Sequence, residues 1–200
     1  NWIKNFCRKI LIFMKKNLII LLIYILFLSV YSKVMASEEI KYDLIKKTEI
    51  YEIRRYYDRL VVQTTEKDGN KSFRKLFGYI SGQNDINQKI EMTTPVILIK
   101  EKDKIKMQFF LPSNFNRNNV PNPTRSDLEI LNIKGGFYAV IQYSGRSSDK
   151  NFTKHKKILR DALLDKKILI IGSEIRATYN SPFVIPPLRR NEAMFKISWN

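Results

Sequence analysis

From Ser37 onward the chain runs twice through one order of elements, strand–strand–helix–strand–strand, and this restricts its fold more than any other feature. In the first pass Thr48–Tyr56 and Leu60–Thr65 read as strands, and Gly69-Asn70 punctuates. Phe73, Leu76, Phe77 and Ile80 then recur at i, i+3, i+4 and i+7, one face of a short helix ended by Gly82. Met92–Lys100 and Lys104–Leu111 are strands; in the second, Ile105, Met107, Phe109 and Leu111 alternate strictly, one face in and one out. After a Pro/Asn-rich connection over Pro112–Pro123 the order returns: strand Leu128–Ile133, a Gly135-Gly136 turn and strand Phe137–Tyr143. Next comes a helix capped by Ser148 or Asp149, with the stripe Phe152, Ile158, Leu159, Ala162 and Leu163. Strands Glu174–Tyr179 and Glu192–Trp199 close the pass.

The halves echo one another. Glu52-Ile53 with Val61-Val62-Gln63 returns as Glu129-Ile130 with Val140-Ile141-Gln142, and Thr94-Pro95-Val96 returns as Ser181-Pro182-Phe183. This implies a duplicated ββαββ unit. Each unit is too small to bury both its sheet and its helix, so the two are expected to share one core, with a ligand-sized cleft between sheet and helices.

The first 36 residues stand apart. Residues 1–17 are basic, Leu18–Val30 is an apolar run of thirteen residues, and Val34 and Ala36 are small or aliphatic. That is the order of a secretory signal, with cleavage expected between Ala36 and Ser37. Thirteen apolar residues fall short of the ~20 that span a bilayer. The expectation is therefore a periplasmic or secreted domain over 37–200, with an uncleaved inner-membrane anchor over residues 10–31 as the alternative. Removal of the signal takes away Cys7, the one cysteine, leaving no thiol or disulfide. It also takes six of the 36 basic residues and none of the 19 acidic ones, so much of the formal charge of +17 stays with the domain. There Lys and Arg are scattered among Asn-rich stretches rather than gathered into a stripe, and no nucleic-acid partner is expected.

Few side chains carry chemistry. His155, the one histidine, falls on the stripe of the second helix, where a core or rim role competes with a ligand role. One His and no mature Cys cannot build a zinc site. No nucleophile elbow surrounds a Ser and no phosphate-binding glycine loop is present, so no catalytic constellation is recognised. Met92, Met107 and Met194 read as core filler or as soft contacts to a large flat ligand. Phe73, Phe77 and Tyr79 read as core, or as the lining of an apolar cleft. Alternation puts Glu192, in Arg189-Arg190-Asn191-Glu192, on one face with Met194 and Lys196, opposite Ala193, Phe195 and Ile197. If buried, Glu192 needs an Arg or a cationic ligand as partner.

Read together and in order, Tyr51-Glu-Ile-Arg54-Arg-Tyr56, Phe73-Arg-Lys-Leu-Phe-Gly-Tyr-Ile-Ser-Gly-Gln-Asn84, Lys89-Ile-Glu-Met-Thr-Thr-Pro-Val96, Phe110-Leu-Pro112, Tyr179-Asn-Ser-Pro-Phe183 and Arg189-Arg-Asn-Glu192 closely resemble the SOUL haem-binding protein family, from about Lys47 to Trp199. The resemblance implies an α+β fold: a distorted, barrel-like antiparallel sheet flanked by two helices, built from a tandem repeat and similar to bacterial effector-binding domains. It also implies non-covalent binding of haem or other tetrapyrroles for carriage or buffering, with Phe73, Arg74, Phe77, Met92 and His155 as the candidate contacts. Some members carry a His after the YEIR string that is proposed to ligate iron; here Arg55 stands there. Gly69-Asn70-Lys71-Ser72 leaves little helix ahead of Phe73, and Lys71, Arg74 and Lys75 are placed to meet propionates. Two other functions compete with this one. One is an effector-type pocket for an aromatic or cationic small molecule centred on Glu192, with or without hydrolysis. The other is an interaction module without a small ligand. Membrane contact is expected only through an uncleaved N-terminal segment.

Overall fold

The computed structural model describes residues 14–24 and 37–199. Residues 14–24 are helical with exposed side chains and belong to a unit of their own, Asn1–Ser37. No helix among the described residues is long and apolar enough to cross a membrane. The expected cleavage point after Ala36, and most of the expected signal, lie outside the described residues.

The second unit, Glu38–Asn200, is a nine-stranded antiparallel sheet, curled into a half-barrel, with two helices. In chain order the elements are β1 (Tyr42–Lys47), β2 (Glu52–Tyr56), β3 (Arg59–Glu66), α1 (Gly69–Ile80), β4 (Val96–Glu101), β5 (Lys104–Phe110), β6 (Glu129–Ile133), β7 (Gly136–Tyr143), α2 (Asp149–Asp165), β8 (Ile170–Thr178) and β9 (Asn191–Ile197). The strands lie in the order β1-β2-β7-β9-β8-β4-β5-β3-β6. Thus β4-β5-β3 and β8-β9-β7 run outward from the β4–β8 contact in the same relative order. The leading strand of each half crosses to the other half: β2 pairs with β7, and β6 with β3.

Alternation along the strands builds two different faces. One carries Ile53, Ala139, Ile141, Ala193 and Phe195 under Phe152, Leu159 and Leu163 of α2, and Val62, Met107 and Phe109 under Leu76, Tyr79 and Ile80 of α1. The other carries Ile97, Tyr138, Val140, Ala177 and Met194, with Tyr56, Phe110, Ile175 and Tyr179 around them, and neither α1 nor α2 covers it.

The structure departs from the sequence reading at several boundaries. Helix α1 begins at Gly69, a turn before Phe73, because Asp68 caps it: its Oδ1 accepts from the Asn70 N–H at 2.8 Å. The segment from Thr48 to Tyr51 is a turn, since Thr48 Oγ1 accepts from the Ile50 and Tyr51 N–H groups and donates to the Tyr51 carbonyl. Residues 92–95 precede β4 rather than opening it, and there the Thr94 carbonyl accepts from the Ile40 N–H. Strand β8 starts at Ile170, and its pairing with β9 is irregular between Ile170 and Glu174. In α2, Ser148 is the cap, and the buried stripe is Phe152, Leu159 and Leu163. Ile158 points outward, being one helical step of ~100° away from Leu159. Strand β1 escapes the pattern because it is an edge strand with an almost wholly exposed set of side chains, which leaves no alternation to read.

Candidate functional site

Two strands of the exposed face bring opposite charges into the interior. Arg54, on β2, is 2 % exposed, and Glu192, on β9, is 0 % exposed. One Arg54 Nη lies 3.1 Å from both Glu192 oxygens, while its Nε donates to Glu52 at 2.8 Å and its Nη1 to the Tyr56 hydroxyl at 3.1 Å. Tyr179 Oη donates to Glu192 Oε2 at 2.8 Å, and Arg190 donates to Oε1 through Nε (3.1 Å) and Nη2 (2.9 Å). Both carboxylate oxygens are therefore fully engaged. Burial disfavours the Arg54 cation, but the charge of Glu192 and the Tyr56 hydroxyl outweigh it and hold the guanidinium above its ordinary pKa. Burial, and then the neighbouring carboxylate, push the Tyr179 phenol upward, so it stays a donor.

This settles what Glu192 can do. It shares its face with Met194 and Lys196, and its partner is an Arg of the chain itself. A carboxylate that already accepts from three side chains has no lone pair to offer as a general base and no unbalanced charge for a cation. Arg189, beside the network, instead holds the β8–β9 loop by donating to the Val184 and Pro182 carbonyls at 2.6 and 2.5 Å.

Next to the network a cavity of about 160 Å³ opens on the face that α1 and α2 leave bare, lined by Tyr56, Ile97, Gln108, Tyr138, Ile175 and Met194 among others. The cleft expected between sheet and helices is not where this cavity lies. Both helix stripes seat directly on the sheet, and this cavity falls on the opposite side.

The candidate haem contacts fall elsewhere. Phe73 and Phe77 are brought together on α1, their rings stacked at 5.8 Å and 12°, with Phe73 edge-on to Phe109 at 5.3 Å. They remain 36 % and 48 % exposed. Arg74 is exposed beside them and makes no ion pair among the described residues, whereas Lys75 is bound to Asp127 (2.6 Å) and Glu66. Met92 is half-buried against the core beneath α1. His155 is not brought to this group. It sits on α2, which packs on β7, β8 and β9, whereas α1 packs on β3 and β5. Its ring stacks on Tyr143 at 4.2 Å, with Nδ1 2.9 Å from the Asn151 carbonyl. No group of three His, Cys, Asp or Glu side chains among the described residues is disposed to hold a metal. Sequence reasoning gave no role to Arg54, Tyr56, Gln108 or Tyr179. The signal for Arg54 was there, a charge at an inward position of an alternating strand, but its partner lies 138 residues away.

The family model described as SOUL heme-binding protein matches residues 37–196. The chain belongs to the SOUL haem-binding protein family. It is 28 % identical over 164 residues to "Heme-binding protein 2" of Mus musculus, a match that covers 75 % of this chain and 78 % of the mouse protein. In structure it is similar to the EcmrR C-terminal domain (TM-score 0.56, 11 % identity, covering 80 % of this chain and 99 % of that one). It is also similar to a hydrolase from Listeria innocua (TM-score 0.53, 10 % identity, covering 86 % and 98 %). At these identities the likeness to both structures is one of fold alone.

Proposed function

We propose that this SOUL protein binds haem or a related tetrapyrrole non-covalently, outside the cytoplasm, against the outer flank of α1. The observation that carries the reading is the parallel, half-exposed pair Phe73 and Phe77. The helix buries Ser72, Leu76, Tyr79 and Ile80 against the sheet, and Phe73, edge-on to Phe109, still leaves with Phe77 a stacked, part-exposed pair of rings that forms an apolar shelf. A porphyrin face covers such a shelf by burial of area, and Arg74 and Lys71 stand ready for its carboxylates. The residues present fit the macrocycle rather than the iron, since His155 belongs to the other helix. Haem held in this way supplies a redox-active iron as cargo. The cavity on the opposite face does not compete for this ligand: at about 160 Å³ it is close to the ~150 Å³ that holds a single benzene ring and too small for a macrocycle.

Titration of the full chain with hemin and with protoporphyrin IX, followed by absorbance, tests the reading. Both should bind saturably, with affinities within about threefold of each other, because the ring and not the metal is gripped. The Phe73→Ala/Phe77→Ala pair should weaken both at least about tenfold, the loss of roughly 1.4 kcal/mol. Unchanged affinity in that variant would remove the shelf from consideration. Binding of hemin alone would transfer the site to an iron ligand, with His155 the first to test.

A further inference from the structure

The face of the sheet that α1 and α2 leave bare carries a second inference, independent of the haem reading. We propose that its cavity is a separate binding site for a neutral aromatic molecule of one or two rings that bears an N–H or O–H donor.

Size sets the first limit. A space of about 160 Å³ is close to the ~150 Å³ apolar cavity known to hold benzene, so it admits a benzene- or indole-sized ring and excludes a porphyrin. The walls set the second. Ile97, Met194 and Tyr138 are buried and Ile175 half-buried, and Tyr56 meets Tyr138 edge-on at 5.4 Å, a lining of aliphatic and aromatic surface drawn from both halves of the sheet.

Charge sets the third. The two charged side chains of the lining, Arg59 and Lys134, and the Glu192 carboxylate behind it already have their opposites. Glu192 is held by Arg54 and Arg190, Arg59 pairs with Glu38 at 3.0 Å, and Lys134 pairs with Asp58 at 2.7 Å. An ionic ligand of either sign would break one of these pairs, and a neutral one breaks none.

One polar group is left for the ligand. The Glu129 carboxylate accepts from Gln63 Nε2 at 3.2 Å, and Gln63 Oε1 accepts from Gln108 Nε2 at 2.9 Å. The carboxylate accepts only, so it fixes the orientation of both amides in turn. The relay ends at Gln108 Oε1, an acceptor in the cavity lining with no donor among the described residues. The Arg54–Glu192 network gains a role from this. Buried ion pairs add little to stability relative to apolar packing, but this one ties down the hydroxyls of Tyr56 and Tyr179, so two walls are fixed before any ligand arrives.

Calorimetric titration of the full chain with indole tests the proposal, using indene as the isostere without N–H and benzyltrimethylammonium and benzoate as the ions. Indole should bind with a dissociation constant on the order of 0.1 mM or tighter, and both ions at least about tenfold more weakly. Indene should bind about fivefold or more below indole, and Gln108→Leu should erase that preference. Ile99→Trp, which fills the cavity from a half-buried wall position, should abolish indole binding while leaving hemin affinity unchanged. Either ion binding as well as indole, no indole binding by the folded chain, or full indole binding in folded Ile99→Trp would overturn the proposal. If Ile99→Trp does not fold, a wild-type chain with no preference for indole over indene overturns it.

Discussion

Arg54 and Glu192 reach each other across β7, and the protein meets the desolvation of both charges with five hydrogen-bonding contacts to one carboxylate. Removing one member leaves the other charged and buried, which costs about 3–5 kcal/mol, whereas replacing both with apolar residues of similar volume costs much less. Arg54→Met is therefore expected to lower the urea midpoint severely, and Arg54→Met/Glu192→Leu to recover a good part of the loss. Additive losses in the pair of measurements would mean that the two residues do not act as one unit. Gln108 and Glu192 occupy matching places, opposite Gln63 on β3 and Gln142 on β7, so the two halves set an amide and a carboxylate at corresponding registers.

Helix α1 is held on the sheet by its apolar stripe and, at its flank, by an ion-pair cluster. Lys75 reaches Asp127 at 2.6 Å just before β6, and Arg125 grips the same carboxylate at 2.9 Å. Hydrogen bonds from Arg125 and Lys75 hold the Asp127 carboxyl well below the usual carboxylate range. A depressed folded-state pKa means that this contribution is present above the unfolded value, about 3.9, and is lost as pH falls through and below it. Asp127→Asn should accordingly lower the melting temperature at neutral pH. The gap from wild type should narrow as pH falls below about 4, where the carboxyl of the unfolded chain takes up its proton, and close only at the far lower pH at which the native carboxyl does so. A gap that stayed constant between about pH 5 and pH 2 would assign the effect to packing instead. The helix start is set by Asp68, and Asp68→Ala should cost about 1 kcal/mol through loss of the cap.

At the scale of the whole molecule, the two faces of one sheet are put to different uses: the helix-covered face supplies the core and the Phe73–Phe77 shelf, and the bare face the charge network and the cavity. The residues just after the unit boundary help to hold this arrangement. Glu38 accepts from Arg59 at 3.0 Å and from the Ser113 N–H, Glu39 pairs with Arg190 at 2.8 Å, and Ile40 is buried in the cavity wall. Deleting residues 1–37 should leave the cooperative unfolding transition of the domain unchanged. Deleting 1–41 should cost a further ~2–4 kcal/mol, the scale of a lost buried aliphatic side chain with its hydrogen bonds. Equal stability of the two truncations would show that residues 38–41 contribute nothing.

Read alone, the sequence determined the α+β class, most of the strands, both helices and the family, because each of these rests on local periodicity, turn residues or ordered motifs. It also determined the face of Glu192, since side chains along a strand alternate with a period of two. Only the tertiary structure decided that Glu192 is closed by Arg54, Tyr179 and Arg190, that Phe73 and Phe77 stand apart from His155, and that the cavity lies on the face that α1 and α2 leave bare. Those outcomes depend on strand order, on the exchange of β2 and β6 between the halves, and on residues more than a hundred positions apart meeting across a curled sheet. Alternation says which side of a strand a residue faces; it does not say which strand lies beside it.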